Sequence, residues 1–195
     1  MLRGIYVNPE KELVRLHARG LVVRIAHGTY VAKPDTVGLH TAWKPTLEEA
    51  AMAYATAAYG DRVPVLAGIG AARHWGAIPR AIGASVIAVP EQHRPVTLAT
   101  GGRIVFTVRD AAKIRAVLVE GGLGVMRVAT VEQTMVDLAL RPDLGGMSAE
   151  ARAAAVALLP RVDPERLQTV TTALPKAAAA RMRIWLRERG GVGGV

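Results

Sequence analysis

Two groups of cations have the residue types and spacing of surfaces that hold anions. Lys11, Arg15 and Arg19 recur every four residues, which on a helix puts them in one stripe. Arg24, His27 and Lys33 follow shortly after in a β-rich stretch. These groups offer charge neutralisation: guanidinium and ammonium groups hold phosphate oxygens, and a row of them positions a protein on a nucleic-acid backbone. A more scattered set, Arg73, Arg80, Arg103, Arg181, Arg183 and Arg187, can face an acidic or phosphate-bearing partner. It can equally be a solvated surface that guards sheet edges against pairing.

Bond-making chemistry has much less to work with. No Ser-His-Asp neighbourhood, H-E-x-x-H, G-x-S-x-G, Walker A or kinase motif set is present, so no catalytic residue is assigned. The chain has no cysteine, which removes disulfides and thiolate chemistry. The histidines, His17, His27, His40, His74 and His93, never fall in metal-ligand spacing, so neither a metal nor a cofactor is expected. The glycine-rich segment Gly68 to Gly76, GIGAARHWG, leaves two readings open. Its small residues suit a helix packed close to a neighbour, while a glycine turn at a helix start can hold phosphate. With the basic middle of the chain and several Asp that could hold Mg²⁺, the second reading allows a nonstandard nucleotide-dependent phosphotransferase. Asp137 reads as a buried hydrogen-bonding residue rather than a catalytic acid.

The charge balance points to a polyanionic partner. Over 195 residues, 25 basic and 16 acidic side chains leave a formal charge of +9 and a pI near 10.6. Residues 61–118 hold most of the excess, with 8 basic against 3 acidic groups. A single Phe, with few and scattered Tyr and Trp, gives no platform for stacking unpaired bases, so a duplex is favoured over a single strand. The longest uncharged run, Ala50 to Gly60, is well short of the roughly 20 apolar residues of a membrane helix. No leader sequence is visible, and a cytoplasmic location is expected.

The elements that must position the cations follow from caps and periodicity. Asn8 and Pro9 start a helix to about Arg19, and Gly20 stops it. Leu21 to Ile25 and Thr29 to Ala32 form a hairpin around Ala26, His27 and Gly28. A short basic helix, a glycine and a hairpin make the back half of a winged helix-turn-helix, or a helix-hairpin unit that decorates a core. Only Met1 to Val7 precede the helix, so the unit is expected to be truncated. Pro34 to Pro45 reads as a linker with Leu39 and Trp43 tucked in. Thr46 and Glu49 make a capping box for a helix ending at Gly60.

Val63 to Leu66 is an edge strand or an approach to a helix. Ser85 to Val89, Val96 to Thr100 and Ile104 to Val108 are strands, the last two joined by Gly101-Gly102. Asp110 caps a helix through Val119, and Val125 to Val128 is a short strand. Thr130 and Gln133 cap a helix ending before Pro142, and helices start at Ser148, Pro164 and Pro175. The expected fold is α+β: a truncated winged-helix-like unit with its linker over residues 1–44, then a mixed α/β domain over 45–190. That domain has a small sheet and a helical C-terminus, and residues 191–195 form a disordered tail.

Three segments carry a family resemblance. RLHARGLVVRIAHGTYV, Arg15 to Val31, resembles the helix-wing segment of the AbiEi family of bacterial antitoxins. GIGAARHWG is similar to its small-residue segment, with Gly70 where Ser is usual. TVEQTMVDLALRPDLGG, Thr130 to Gly146, resembles its T-x-E-R-T segment, with Gln133 replacing Arg. The resemblance implies the antitoxin of a type IV toxin-antitoxin system, whose partners are operator DNA and a nucleotidyltransferase-like toxin. It implies operator binding and transcriptional repression by the N-terminal unit and toxin neutralisation by the rest. The alternative is a phosphotransferase that inactivates the toxin by covalent modification.

Overall fold

The computed structural model describes residues 8–38 and 40–190; the expectations for segment 1–7, Leu39 and the tail 191–195 lie outside them. At its centre Ala84–Val89 (β4) is buried along its whole length, so both faces of the sheet there must be covered. β4 pairs antiparallel with Val65–Ala67 (β3) and parallel with Arg103–Val108 (β6). Gly124–Ala129 (β8) runs parallel to β3 and antiparallel to Ala116–Gly121 (β7). Val96–Thr97 (β5) closes the other edge, giving the mixed order β5-β6-β4-β3-β8-β7.

The N-terminal unit is a helix, Pro9–Ala18 (α1), and a two-stranded sheet of Val22–Ala26 (β1) and Thr29–Ala32 (β2), bulged between Arg24 and Ala26. Leu47–Tyr59 (α2) packs against both this hairpin and strands β3, β4 and β6. The core is continuous from hairpin to sheet. Ile25 is wholly buried in the same cluster as Leu66 and Ile87, and the Ala99 N–H donates to the Ile25 carbonyl at 2.8 Å. Gly68–His74 (α3), Val131–Leu140 (α4) and Ser148–Leu158 (α5) pack together; Pro164–Thr172 (α6) and Lys176–Gly190 (α7) lie on α4. The Met182, Trp185 and Leu186 side of α7 turns to the core.

The Thr46–Glu49 box forms in both directions, whereas only the Thr130 half of the Thr130–Gln133 box forms, the Gln133 side chain turning to Asp137 and the Arg115 N–H. The Thr46 N–H donates to Glu49 Oε2 at 2.9 Å and the Glu49 N–H to Thr46 Oγ1 at 3.2 Å. The other oxygen of Glu49 accepts from Gly122 N–H at 2.8 Å, so one carboxylate caps α2 and ties down the β7–β8 turn. Thr130 caps α4 through the Gln133 N–H, and Asp163 caps α6 through the Arg166 N–H.

Three expectations are corrected. The strand from Val96 stops at Thr97, and a five-residue loop, 98–102, rather than Gly101-Gly102 alone joins β5 to β6. The helix from Asp110 to Val119 does not form: Asp110 caps one 3₁₀ turn, Ala111–Lys113, and the chain then extends into β7. Val117 and Val119 favour a pleated strand, and Gly121 pairs with Gly124 across a two-residue turn that folds β7 back on β8. Of the two readings of Val63 to Leu66, the approach to a helix holds, since α3 starts directly after β3, but the strand is interior, flanked by β4 and β8, rather than at an edge. Pro64 precedes its first residue, so the missing N–H costs no ladder bond.

The small residues of α3 serve contact. Gly68 to Ala72 are buried, and a Cβ built on Gly70 would run into Ser85 Oγ and lie 2.7 Å from Leu66 Cδ1. Gly70→Ser is therefore expected to cost about 1–3 kcal/mol through overpacking. A urea midpoint unchanged from wild type would contradict this.

Candidate functional site

The first candidate surface is built on α1 and the hairpin. Asn8 Oδ1 accepts from the Lys11 N–H at 3.1 Å, with Pro9 at the first helical position. Gly20, at φ +70, turns the chain into β1. Leu13 and Leu16 are half-buried, whereas Lys11, Arg15 and Arg19 are all exposed. Arg15 Nη1 stands 3.8 Å from Glu12 Oε2 with its side chain 73% exposed, a contact that contributes little and leaves the guanidinium available. His17 bonds through Nδ1 to the Val22 carbonyl at 3.0 Å and sets its ring edge on Tyr30. That fastens the basic helix to the hairpin and was not legible as a functional position.

At the hairpin tip Arg24 Nε donates to the Ala26 carbonyl at 3.3 Å, and its Nη2 donates to His27 Nδ1 at 3.3 Å. The two exposed side chains are thus brought together over the bulge. Lys33 has a different position: its Nζ donates to the carbonyls of Gly38 and Thr41, both at 2.6 Å. It clasps the loop that follows β2.

The scattered arginines divide in the same way. Arg73 pairs with Glu48, and Arg80 with Glu150. Arg103 donates to the Gly145 carbonyl at 3.3 Å and Arg181 to that of Leu140 at 2.6 Å. These four join segments distant in sequence. Arg183 and Arg187 are exposed, with no hydrogen bond or ion pair among the described residues.

Among the described residues the carboxyls of Glu48, Glu132 and Asp137 are buried, and Glu132 Oε1 accepts from the Asp163 N–H at 3.2 Å. Desolvation raises the Glu48 carboxyl above its ordinary value, opposed by a backbone hydrogen bond and by Arg73. Burial likewise raises Asp137, opposed by the charge and hydrogen bond of Arg109 and then by Gln133. Gln133 Nε2 donates to Asp137 Oδ1 at 3.0 Å and its Oε1 accepts from the Arg115 N–H at 3.4 Å. Asp137 is thus enclosed in a structural network. The phosphate-turn reading of Gly68 to Gly70 meets a buried, closely packed helix start that leaves no room for a ligand.

Residues 66–188 match the family model of the AbiEi antitoxin C-terminal domain. No curated relative matches the chain. Among solved structures, the RV2827C protein from Mycobacterium tuberculosis superposes with a TM-score of 0.62 at 22% identity, over 94% of this chain and 66% of that one. At that identity the likeness is one of fold, and the chain spans about two thirds of that protein's length.

The Arg109–Asp137 pair generates a stability prediction. Asp137→Ala leaves the guanidinium without its counter-charge and is expected to cost roughly 2–3 kcal/mol. This is below the figure for a fully buried pair because Arg109 is 26% exposed. The double variant Arg109→Met/Asp137→Leu is expected to recover most of that loss. Chemical denaturation of the two variants checks both statements.

Proposed function

We propose that this chain, which belongs to the AbiEi antitoxin family, neutralises a cognate nucleotidyltransferase-like toxin and represses its own operon by binding duplex DNA. The observation that carries the DNA part is the exposed stripe of Lys11, Arg15 and Arg19 beside the Arg24–His27 tip. A helix that leans Leu13 and Leu16 on the protein and turns three cations outward has the form of a groove-entering helix. The hairpin tip supplies backbone contacts next to it. Lys33 contributes by holding the loop after the wing.

On the partner side, Arg183 and Arg187 are the contacts proposed for an acidic toxin surface, since their guanidinium groups are exposed. Arg73, Arg80, Arg103 and Arg181 act through the fold they join. The proposed site of action is the cytoplasm. Among the described residues no helix is long and apolar enough to cross a membrane.

Arg15→Ala and Arg24→Ala are each expected to weaken operator binding and to lower the slope of log affinity against log salt by about 0.9 per lost phosphate contact. Gel-shift affinities and salt slopes unchanged in both variants would remove the DNA role. Co-expression with the product of the adjacent gene, scored as restored growth, tests neutralisation. Continued arrest with the wild-type chain would refute it.

A further inference from the structure

One cavity, of about 440 Å³, runs against the charge of the rest of the chain. Residues from the start of α2, the end of α3 and strands β7 and β8 surround it, among them Glu48, Glu49, Arg73, His74 and Glu120. Three carboxyls less one guanidinium leave a formal charge of −2 there, part of which the first turn of α2 offsets. The whole chain carries +9. His74 adds no charge at neutral pH, since burial lowers its pKa below the ordinary value.

The three carboxyls differ in how far they are satisfied. Glu49 uses both oxygens, one on Thr46 and one on the Gly122 N–H, and these donors are uncharged. Glu120 is exposed and makes no hydrogen bond or ion pair among the described residues. Glu48 is only half satisfied. Its side chain is 6% exposed and Oε2 takes the Arg73 guanidinium, while Oε1 is buried with no hydrogen-bond partner among the described residues. The backbone N–H that favours its ionised form does not reach Oε1 at hydrogen-bonding geometry. A buried acceptor without a donor is costly, and native folds keep few of them.

The same cavity has aliphatic surface from Ile78, Pro79 and Met126. An open carboxylate oxygen, excess negative charge and an apolar wall together describe one kind of ligand, a cation that carries N–H donors on an aliphatic stem. The donors make charge-assisted hydrogen bonds, and the stem lies along the apolar wall. A metal ion fits less well, because among the described residues no group of three His, Asp or Glu side chains is placed to hold one. We propose that this cavity binds an alkylammonium or alkylguanidinium group, which donates to Glu48 Oε1, packs its stem on Ile78 and Met126, and is attracted by the charge of Glu120. The group belongs to a free amine or to a Lys or Arg side chain of another protein, with the same chemistry in both cases. None of these residues is proposed above to touch DNA or the toxin, so the failure of this site and the failure of those surfaces are separate results.

The test is a ¹H–¹⁵N titration of the full chain with putrescine, with agmatine and with a capped peptide bearing one central arginine, in separate arms. Tetramethylammonium, which has the charge but no N–H, is the comparison. Amide shifts centred on Glu48, His74 and Glu120 are expected, saturating near or below about 1 mM, with tetramethylammonium bound at least about tenfold more weakly. Glu48→Gln keeps the shape of the side chain without its charge and is expected to weaken binding at least about tenfold. Glu120→Gln, which alters an exposed group alone, is expected to weaken it about threefold while keeping its far-ultraviolet circular dichroism. Saturation by putrescine or agmatine assigns a free ligand, and a response confined to the peptide assigns a protein side chain. Either result upholds the site. It is overturned by no response in any donor-bearing arm, by shifts centred elsewhere, or by equal binding of tetramethylammonium. Unchanged affinity in Glu48→Gln or, should that variant not fold, in Glu120→Gln overturns it as well.

Discussion

Covering both faces of β3 and β4 is the constraint from which the rest of the structure follows. Val65, Leu66, Val86, Ile87 and Val89 have no exposed surface, so apolar layers must close over the sheet on each side. α2 supplies part of this cover and brings the N-terminal hairpin with it, while α3 lies against β3 and β4 and is backed by α4 and α5. The approach of α3 is close enough that a side chain at position 70 must displace Ser85 or Leu66. Close packing of this kind excludes a ligand from a segment whose glycine pattern taken alone admits one.

A core so rich in Ala, Val and Ile has few groups that hold distant segments in register, and arginine does that work. Arg73, Arg80, Arg103, Arg109 and Arg181 each end on a carboxylate or a carbonyl far away in sequence. Arg127 does the same with the carbonyls of Arg62 and Ala111. A long stem with a planar fork can lie along apolar surface and still satisfy an orphan carbonyl at its end. Much of the net positive charge is therefore structural. What matters for partners is the smaller set of cations that the fold leaves without a role.

That smaller set sits in separate places. At the N-terminal unit the fold supplies rigidity: Ile25 anchors the hairpin in the core and His17 fastens the helix to it. The cations of α1 can then point outward from a fixed frame. The C-terminal helices have a frame of their own, because α4 holds both α6 and α7 and the Asp163 N–H donates to Glu132 on α4. A surface is useful for recognition when its own atoms are not needed to hold it in place.

The sequence by itself determined the elements whose signals are local. The Asn8-Pro9 start, the Thr46–Glu49 box and the Thr130 and Asp163 caps each depend on atoms within a few residues of one another, and each formed. The exposure of Lys11, Arg15, Arg19, Arg24 and His27 was legible for the same reason: periodicity and turn chemistry place them. The residues after Asp110 were misread because a cap and a short amphipathic run fit either state, and only pairing with β8 makes them a strand. The interior position of β3 and the division of arginines into clasps and free cations belonged to the tertiary structure alone. These depend on which distant carbonyl, carboxylate or strand edge comes within reach, and hydrogen bonds and ion pairs form across space regardless of separation along the chain.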